Sequence, residues 1–138
     1  MNPKDKELYE TMFSSMSPVE YLKITKIAKW VKYKSGEKII EQDGKVLNLL
    51  LIYNGTVDVA VNNKKVAELK DGQFVGEMSF LTEQPATATC IVKHDTEMLV
   101  WKQSQFKELL KRNPSLYFTI QSVLSSQVSS NLVSSSNK

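Results

Sequence analysis

Arginine is almost missing from this chain. Of 18 cationic residues in 138, one, Arg112, is an arginine and the others are lysines. Lysine neutralises an anion as a point charge but cannot clamp it with a planar two-pronged fork, so anion recognition by arginine clusters is excluded. A net charge of +3, scattered along the chain, does not make a nucleic-acid surface. Histidine is limited to His94, which excludes an imidazole-rich metal centre and the several histidines that a catalytic cupin-like barrel needs. His94 reads as a turn residue before Asp95. Cysteine is limited to Cys90, so no internal disulfide framework exists. With Thr89, Ile91 and Val92 as neighbours it reads as a buried strand thiol rather than a nucleophile. Long apolar runs are absent too: the longest, Leu49-Leu-Leu-Ile-Tyr53, is strand-sized, far short of the roughly 18 residues of a membrane span. The N-terminus is polar and lacks a signal-peptide apolar region, so the expected location is cytoplasmic. No catalytic triad, metal cluster or glycine loop with a catalytic lysine is present, and no enzyme is expected.

What is present is an ordered succession of patterns. Residues 4–29 read as a helical N-terminal cap. Leu8, Met12 and Phe13 form one apolar face, and Ser17-Pro18-Val-Glu20 reads as a capped helix start followed by amphipathic spacing. From Trp30 the period becomes strand-like, with runs at 30–33, 38–41, 48–53, 56–61, 65–69, 87–92 and 96–101. Turn signals separate them: Ser35-Gly36, Gln42-Asp-Gly44, Asn54-Gly55, Asn62-Asn63 and Asp71-Gly72. Short strands punctuated this regularly predict a mainly β protein, a sandwich or barrel over about residues 30–102. Two C-terminal helices follow over about 104–133, the first capped by Ser104 and the second starting at Ser115 after the break at Asn113-Pro114. Leu116, Ile120, Val123, Leu124, Val128 and Leu132 give the second helix a narrow apolar stripe, and its serine-rich remainder predicts a frayed end and a disordered tail over 134–138. The 138 residues are read as a single domain.

The most informative segment is Phe74-Val-Gly-Glu-Met-Ser-Phe-Leu-Thr-Glu-Gln-Pro-Ala-Thr-Ala-Thr89. A Gly-Glu pair, a short apolar run, and a proline followed by small residues suit a turn in which backbone amides and a short helix face a phosphate. The segment resembles the phosphate-binding cassette of cyclic-nucleotide-binding domains, the family of the catabolite activator protein and of kinase regulatory subunits. The turns Ser-Gly-Glu-Lys-Ile, Gln-Asp-Gly-Lys and Tyr-Asn-Gly-Thr-Val are similar to that family's, so the resemblance runs from about residue 20 to 132. One element departs: Ala86 stands where the family places the arginine that pairs with the cyclic phosphate. Popeye-type members also carry an altered cassette, and their Leu-rich strand is loosely similar to Leu47–Tyr53 here.

The resemblance implies that the β region over about residues 30–102 is an eight-stranded jelly-roll (double-stranded β-helix) barrel, and it implies a ligand site and its residues. Val75, Gly76, Glu77, Met78 and Ser79 correspond to the start of the cassette helix, with Glu77 accepting from the ribose 2′-hydroxyl. Ala86, Thr87 and Ala88 correspond to the strand after the proline, and Ser130 and Asn131 to the helix residues that meet the purine amino group. The implied ligand is cAMP or cGMP, with no metal. The absent arginine removes an interaction on the order of 1.5–3 kcal/mol, roughly ten- to a hundredfold in affinity. The sequence does not place Lys93 or Lys64 at the phosphate in its stead. The expected function is a regulatory cyclic-nucleotide module of weakened affinity, relaying occupancy through its C-terminal helices and dimerising through the last one. The alternative is a ligand-free dimerisation scaffold of the same fold. Relatives that bind DNA carry a further helix-turn-helix after the long helix; with none before Lys138, direct DNA binding is not expected.

Overall fold

The computed structural model describes residues 2–136, with side chains described through residue 126. The chain forms two compact units, residues 28–103 and a helical unit made of residues 1–27 with 104–138. Among the described residues five helices and six strands make the fold mixed α/β rather than mainly β.

In the helical unit, α1 spans Pro3–Met12 and α2 spans Pro18–Lys26. The reading of α2 from its first residues holds in detail. Ser17 Oγ accepts from the Glu20 N–H at 3.1 Å, and the Ser17 N–H donates to Glu20 Oε1 at 3.2 Å, a reciprocal capping box with proline at the first position. Tyr21 is fully buried, packs on Tyr9 and Phe13, and its hydroxyl donates to the Asp5 carbonyl at 2.6 Å. Burial therefore raises its pKa well above the ordinary phenol value. Ser17→Ala should lower stability by about 1 kcal/mol, read as a fall in the thermal midpoint by circular dichroism; an unchanged midpoint would mean the cap is redundant.

The sheet unit is antiparallel. Its strands are β1 (Lys29–Tyr33), β2 (Lys38–Ile40), β3 (Asn48–Val61), β4 (Lys64–Lys70), β5 (Phe74–Val75) and β6 (Thr89–Lys102). The main path is β1-β6-β3-β4, with β2 also on β6 and β5 also on β3. Two of these strands are 14 residues long, and this is why six strands stand where eight were expected. The runs 48–53 and 56–61 are one strand, and so are the runs up to 92 and from 96 onward; β6 begins at Thr89 rather than Thr87. Besides pairing with each other, the two long strands each serve two shorter partners. The first part of β3 pairs with β5 and the rest with β4; the first part of β6 pairs with β2 and the rest with β1.

Asn54-Gly55, read as a tight turn, is instead an irregularity inside β3, where the register against β6 shifts. Gly55 has φ 145°, and a Cβ there would lie 2.0 Å from Thr96 Oγ1. The Thr96 hydroxyl is committed at this place: it donates to the His94 carbonyl at 2.6 Å and accepts from the Thr56 N–H at 3.1 Å. His94 and Asp95 likewise lie within β6, not at a turn. Asn62-Asn63 is the expected hairpin turn, with φ of 52° and 66°.

Two helix boundaries also differ from expectation. Helix α4 covers Gln103–Lys111, so Ser104 is inside it rather than its cap. Gln103 runs straight on from β6 and is tied to the residue before β3, its N–H donating to the Leu47 carbonyl at 2.9 Å. Helix α5 covers Pro114–Ser136. Ser134–Ser136, expected to be disordered, are therefore helical, and residues 137–138 lie outside the described residues. Leu116, Ile120 and Leu124 are buried, whereas Tyr117 and Phe118 are exposed, Phe118 by 70%. Among the described residues no helix is long and apolar enough to cross a membrane.

Candidate ligand site

The cassette occupies the chain between β5 and β6. Phe74 and Val75 are buried and pair with Leu51 and Leu50 of β3, which fixes where the following turn emerges. Gly76 has φ 86°, a left-handed conformation that only glycine adopts without strain. A Cβ at Gly76 would lie 3.0 Å from the Asn48 carbonyl oxygen and 3.3 Å from Val46 Cγ1, so the position is also tight. Gly76 precedes helix α3 (Glu77–Thr82) and gives it no side-chain cap. The first N–H groups of any helix are left over by the intrahelical bonds, and the helix dipole favours an anion beside them.

Glu77 is half-buried, and its carboxylate acts electrostatically on the buried Cys90 thiol of β6. Burial first and the neighbouring Glu77 charge second push that thiol up to about 12, so it stays protonated and unreactive at neutral pH. Glu77 thus lies close to the sheet's apolar core, to which Cys90 belongs. Met78 is exposed, while Ser79 and Phe80 are buried. The Ser79 carbonyl accepts from the N–H of Glu83 at 2.8 Å, where a second left-handed residue ends α3 with φ 61°.

Ala86 is 7% exposed and belongs to the same apolar core cluster. Its backbone is held twice by the turn after β2: the Ala86 N–H donates to the Gly44 carbonyl at 2.9 Å, and the Asp43 N–H donates to the Ala86 carbonyl at 2.8 Å. Thr87 is exposed and Ala88 half-buried; the Thr89 hydroxyl accepts from the Gln42 N–H at 3.0 Å. The structure thus brings the segments around Gly76 and Ala86 to one short stretch, residues 43–46, a neighbourhood that sequence reading missed. Gln42-Asp-Gly44 was legible as a turn, but nothing local tied it to the cassette.

Neither lysine near the site in sequence is held at the cassette. Lys93 pairs with Glu68, which also takes Lys65 Nζ at 2.5 Å, while Lys65 lies 3.2 Å from Asp58 Oδ1. Hydrogen bonds from Lys65 and Lys93 pull the Glu68 carboxyl down to about 2, so this outer network stays charged across the working pH range. Lys64 sits opposite Val61 at the Asn62-Asn63 hairpin. Ser130 and Asn131 are on α5, but their side chains lie outside the described residues. Among the described residues no group of three His, Cys, Asp or Glu is placed to hold a metal ion.

The model of the cyclic nucleotide-binding domain matches residues 30–113, more than half of the chain. The chain belongs to the cyclic nucleotide-binding domain family. A cGMP-dependent protein kinase of Toxoplasma gondii is 30% identical to this family member over 101 residues, covering 72% of the chain but 10% of the kinase. A cAMP-dependent protein kinase regulatory subunit of Debaryomyces hansenii is 31% identical over 84 residues, covering 59% of the chain and 19% of the subunit. The chain therefore spans a fifth or less of the length of these two curated relatives. Among solved structures, a cyclic nucleotide-binding domain from Methylobacillus flagellatus superposes with a TM-score of 0.83 at 21% identity, covering 96% of this chain and 82% of that one. Within this cyclic nucleotide-binding domain, the match takes in the whole cassette, Phe74 to Thr89, together with the 43–46 stretch.

Proposed function

We propose that this domain binds a 3′,5′-cyclic purine nucleotide, cAMP or cGMP, as a regulatory module, with affinity weakened by Ala86. The observation that carries the reading is the half-buried Glu77 at the start of α3, directly after a left-handed Gly76. A carboxylate so placed suits a hydroxyl donor such as the ribose 2′-OH, and the uncapped start of α3 suits the phosphate. The likeness to a cGMP-dependent protein kinase and to a cAMP-dependent protein kinase regulatory subunit supports the same ligand class. The ligand would favour one arrangement of the chain over another, and α4 and α5 would report the shift. The residues we assign to the site are Val75, Gly76, Glu77, Met78, Ser79, Ala86, Thr87 and Ala88.

Calorimetry with cAMP, cGMP and cyclic dinucleotides tests this. Binding with a Kd in the tens to hundreds of micromolar is expected for a purine monophosphate, given the loss of one charge-assisted bond. No heat and no thermal stabilisation at millimolar ligand would end it. In addition, Glu77→Ala should weaken cAMP about tenfold while leaving 2′-deoxy-cAMP nearly unchanged. Equal losses for both ligands would remove Glu77 from ribose recognition.

A second reading, a dimerising scaffold, is favoured by one observation: the exposed Tyr117–Phe118 pair on α5, with ring centroids 6.0 Å apart. Of the apolar stripe on α5, Leu116, Ile120 and Leu124 are buried in the single chain, while the side chains of Val128 and Leu132 lie outside the described residues. Sedimentation that stays monomeric at all concentrations would remove this reading.

A further inference from the structure

We propose that Lys45 supplies the cation that the cassette lacks, neutralising the ligand phosphate from the rim; the inference rests on the nucleotide-binding reading above. The evidence lies in the chain on either side of Lys45. Gly44, its predecessor, accepts the Ala86 N–H at 2.9 Å, and Asp43 returns a bond to the Ala86 carbonyl at 2.8 Å. Val46, its successor, is buried with Cγ1 3.3 Å from where a Cβ on Gly76 would stand. Residues 43–46 therefore bridge the two parts of the cassette, from Ala86 to Gly76, and Lys45 is the residue at the middle of the bridge.

Its neighbours fix the backbone, while the Lys45 side chain is exposed and takes part in no hydrogen bond or ion pair among the described residues. The nearby cations are placed differently. Lys93 and Lys65 are committed to Glu68 and Asp58, and Lys38 lies 3.8 Å from Glu41; Lys64 stands in the Asn62-Asn63 hairpin, which two hydrogen bonds between Asn62 and Gln42 hold beside the same turn, so it is the control for Lys45. Ala86 itself is a small, buried core residue, so a positive charge for the phosphate has to come from outside the core. A lysine on its flexible four-carbon stem meets a phosphate as a point charge without the fixed geometry of a guanidinium fork. The ligand class is an organic phosphate monoanion, and the contact is one an uncharged nucleoside would not share.

The test compares cAMP and adenosine binding to the unmodified chain, Lys45→Gln, Lys45→Arg and Lys64→Gln by calorimetry, with thermal midpoints to show that each variant folds. Lys45→Gln is expected to weaken cAMP about tenfold, the loss of one charge-assisted contact at an exposed rim, and to leave adenosine unchanged. Lys45→Arg should keep or improve cAMP affinity, and Lys64→Gln should match the unmodified chain. Raising the salt concentration should narrow the gap between Lys45→Gln and the unmodified chain. Unchanged cAMP affinity in Lys45→Gln, or an equal loss in Lys64→Gln, overturns the role of Lys45 while the nucleotide reading stands. Absence of cAMP binding by the unmodified chain overturns both, and the two failures are told apart by that first titration.

Discussion

Gly55→Ala is expected to destabilise the sheet unit by about 3 kcal/mol, combining backbone strain of order 1–3 kcal/mol with overpacking of similar size. The backbone at Gly55 has φ 145°, where an L side chain is strained, and the new methyl would meet Thr96 Oγ1 at 2.0 Å and its Cγ2 at 2.6 Å. Thr96 cannot yield freely, since it is 3% exposed and its hydroxyl is bonded to His94 and Thr56. The Gly55 N–H is itself held by Asp71 Oδ1 at 2.8 Å. Chemical denaturation gives the result directly, and Thr96→Ser, which removes one methyl, should return part of the loss in the double variant. A Gly55→Ala protein as stable as the parent would show that β3 can relax out of its irregular register.

Ala86→Arg is expected to tighten cAMP binding ten- to a hundredfold by supplying a charge-assisted, two-pronged contact to the phosphate. The position is favourable because the N–H and the carbonyl of residue 86 are held by Gly44 and Asp43, so the substitution should not move this segment. The side chain, however, enters at a place only 7% exposed and among apolar neighbours. An unpaired guanidinium is costly there, so the ligand-free variant should melt below the parent and the cAMP-bound variant above it. That crossing is the signature: destabilisation without ligand and larger stabilisation with it. Destabilisation with no gain in affinity would mean that residue 86 does not face the phosphate.

Much of this molecule was written locally. The α2 cap needs only Ser17, Pro18 and Glu20; the hairpin needs Asn62-Asn63; the cassette turn needs Gly76. The mistaken strand count has an equally physical origin. Asn54-Gly55 carries the signal of a tight turn, yet the same glycine also suits an extended bulge, and the choice is made by Thr96, which leaves no room for a Cβ at Gly55 and accepts from the Thr56 N–H forty residues earlier. His94-Asp95 lies opposite that bulge and was broken in the reading for the same reason. The site divides likewise. Gly76, Glu77 and Ala86 could be located from the order of residue types, but the reach of Glu77 to Cys90 and the clasp between Gly44 and Ala86 are products of tertiary folding. No local pattern announces them.

The pairing of the two long strands has a kinetic consequence. They run antiparallel from Asn48 opposite Lys102 to Ala60 opposite Thr89, and the whole hairpin and cassette are strung between them. Neither strand finds its chief partner until distant stretches of chain have met, so the loop must close before most of the ladder contributes. Refolding then belongs to the slow, non-local class, with times of about milliseconds to seconds. For the same reason a nick anywhere from Val61 to Thr89 would sever the tether that brings these strands together, and the cassette excised as a peptide would lose the scaffold that shapes it.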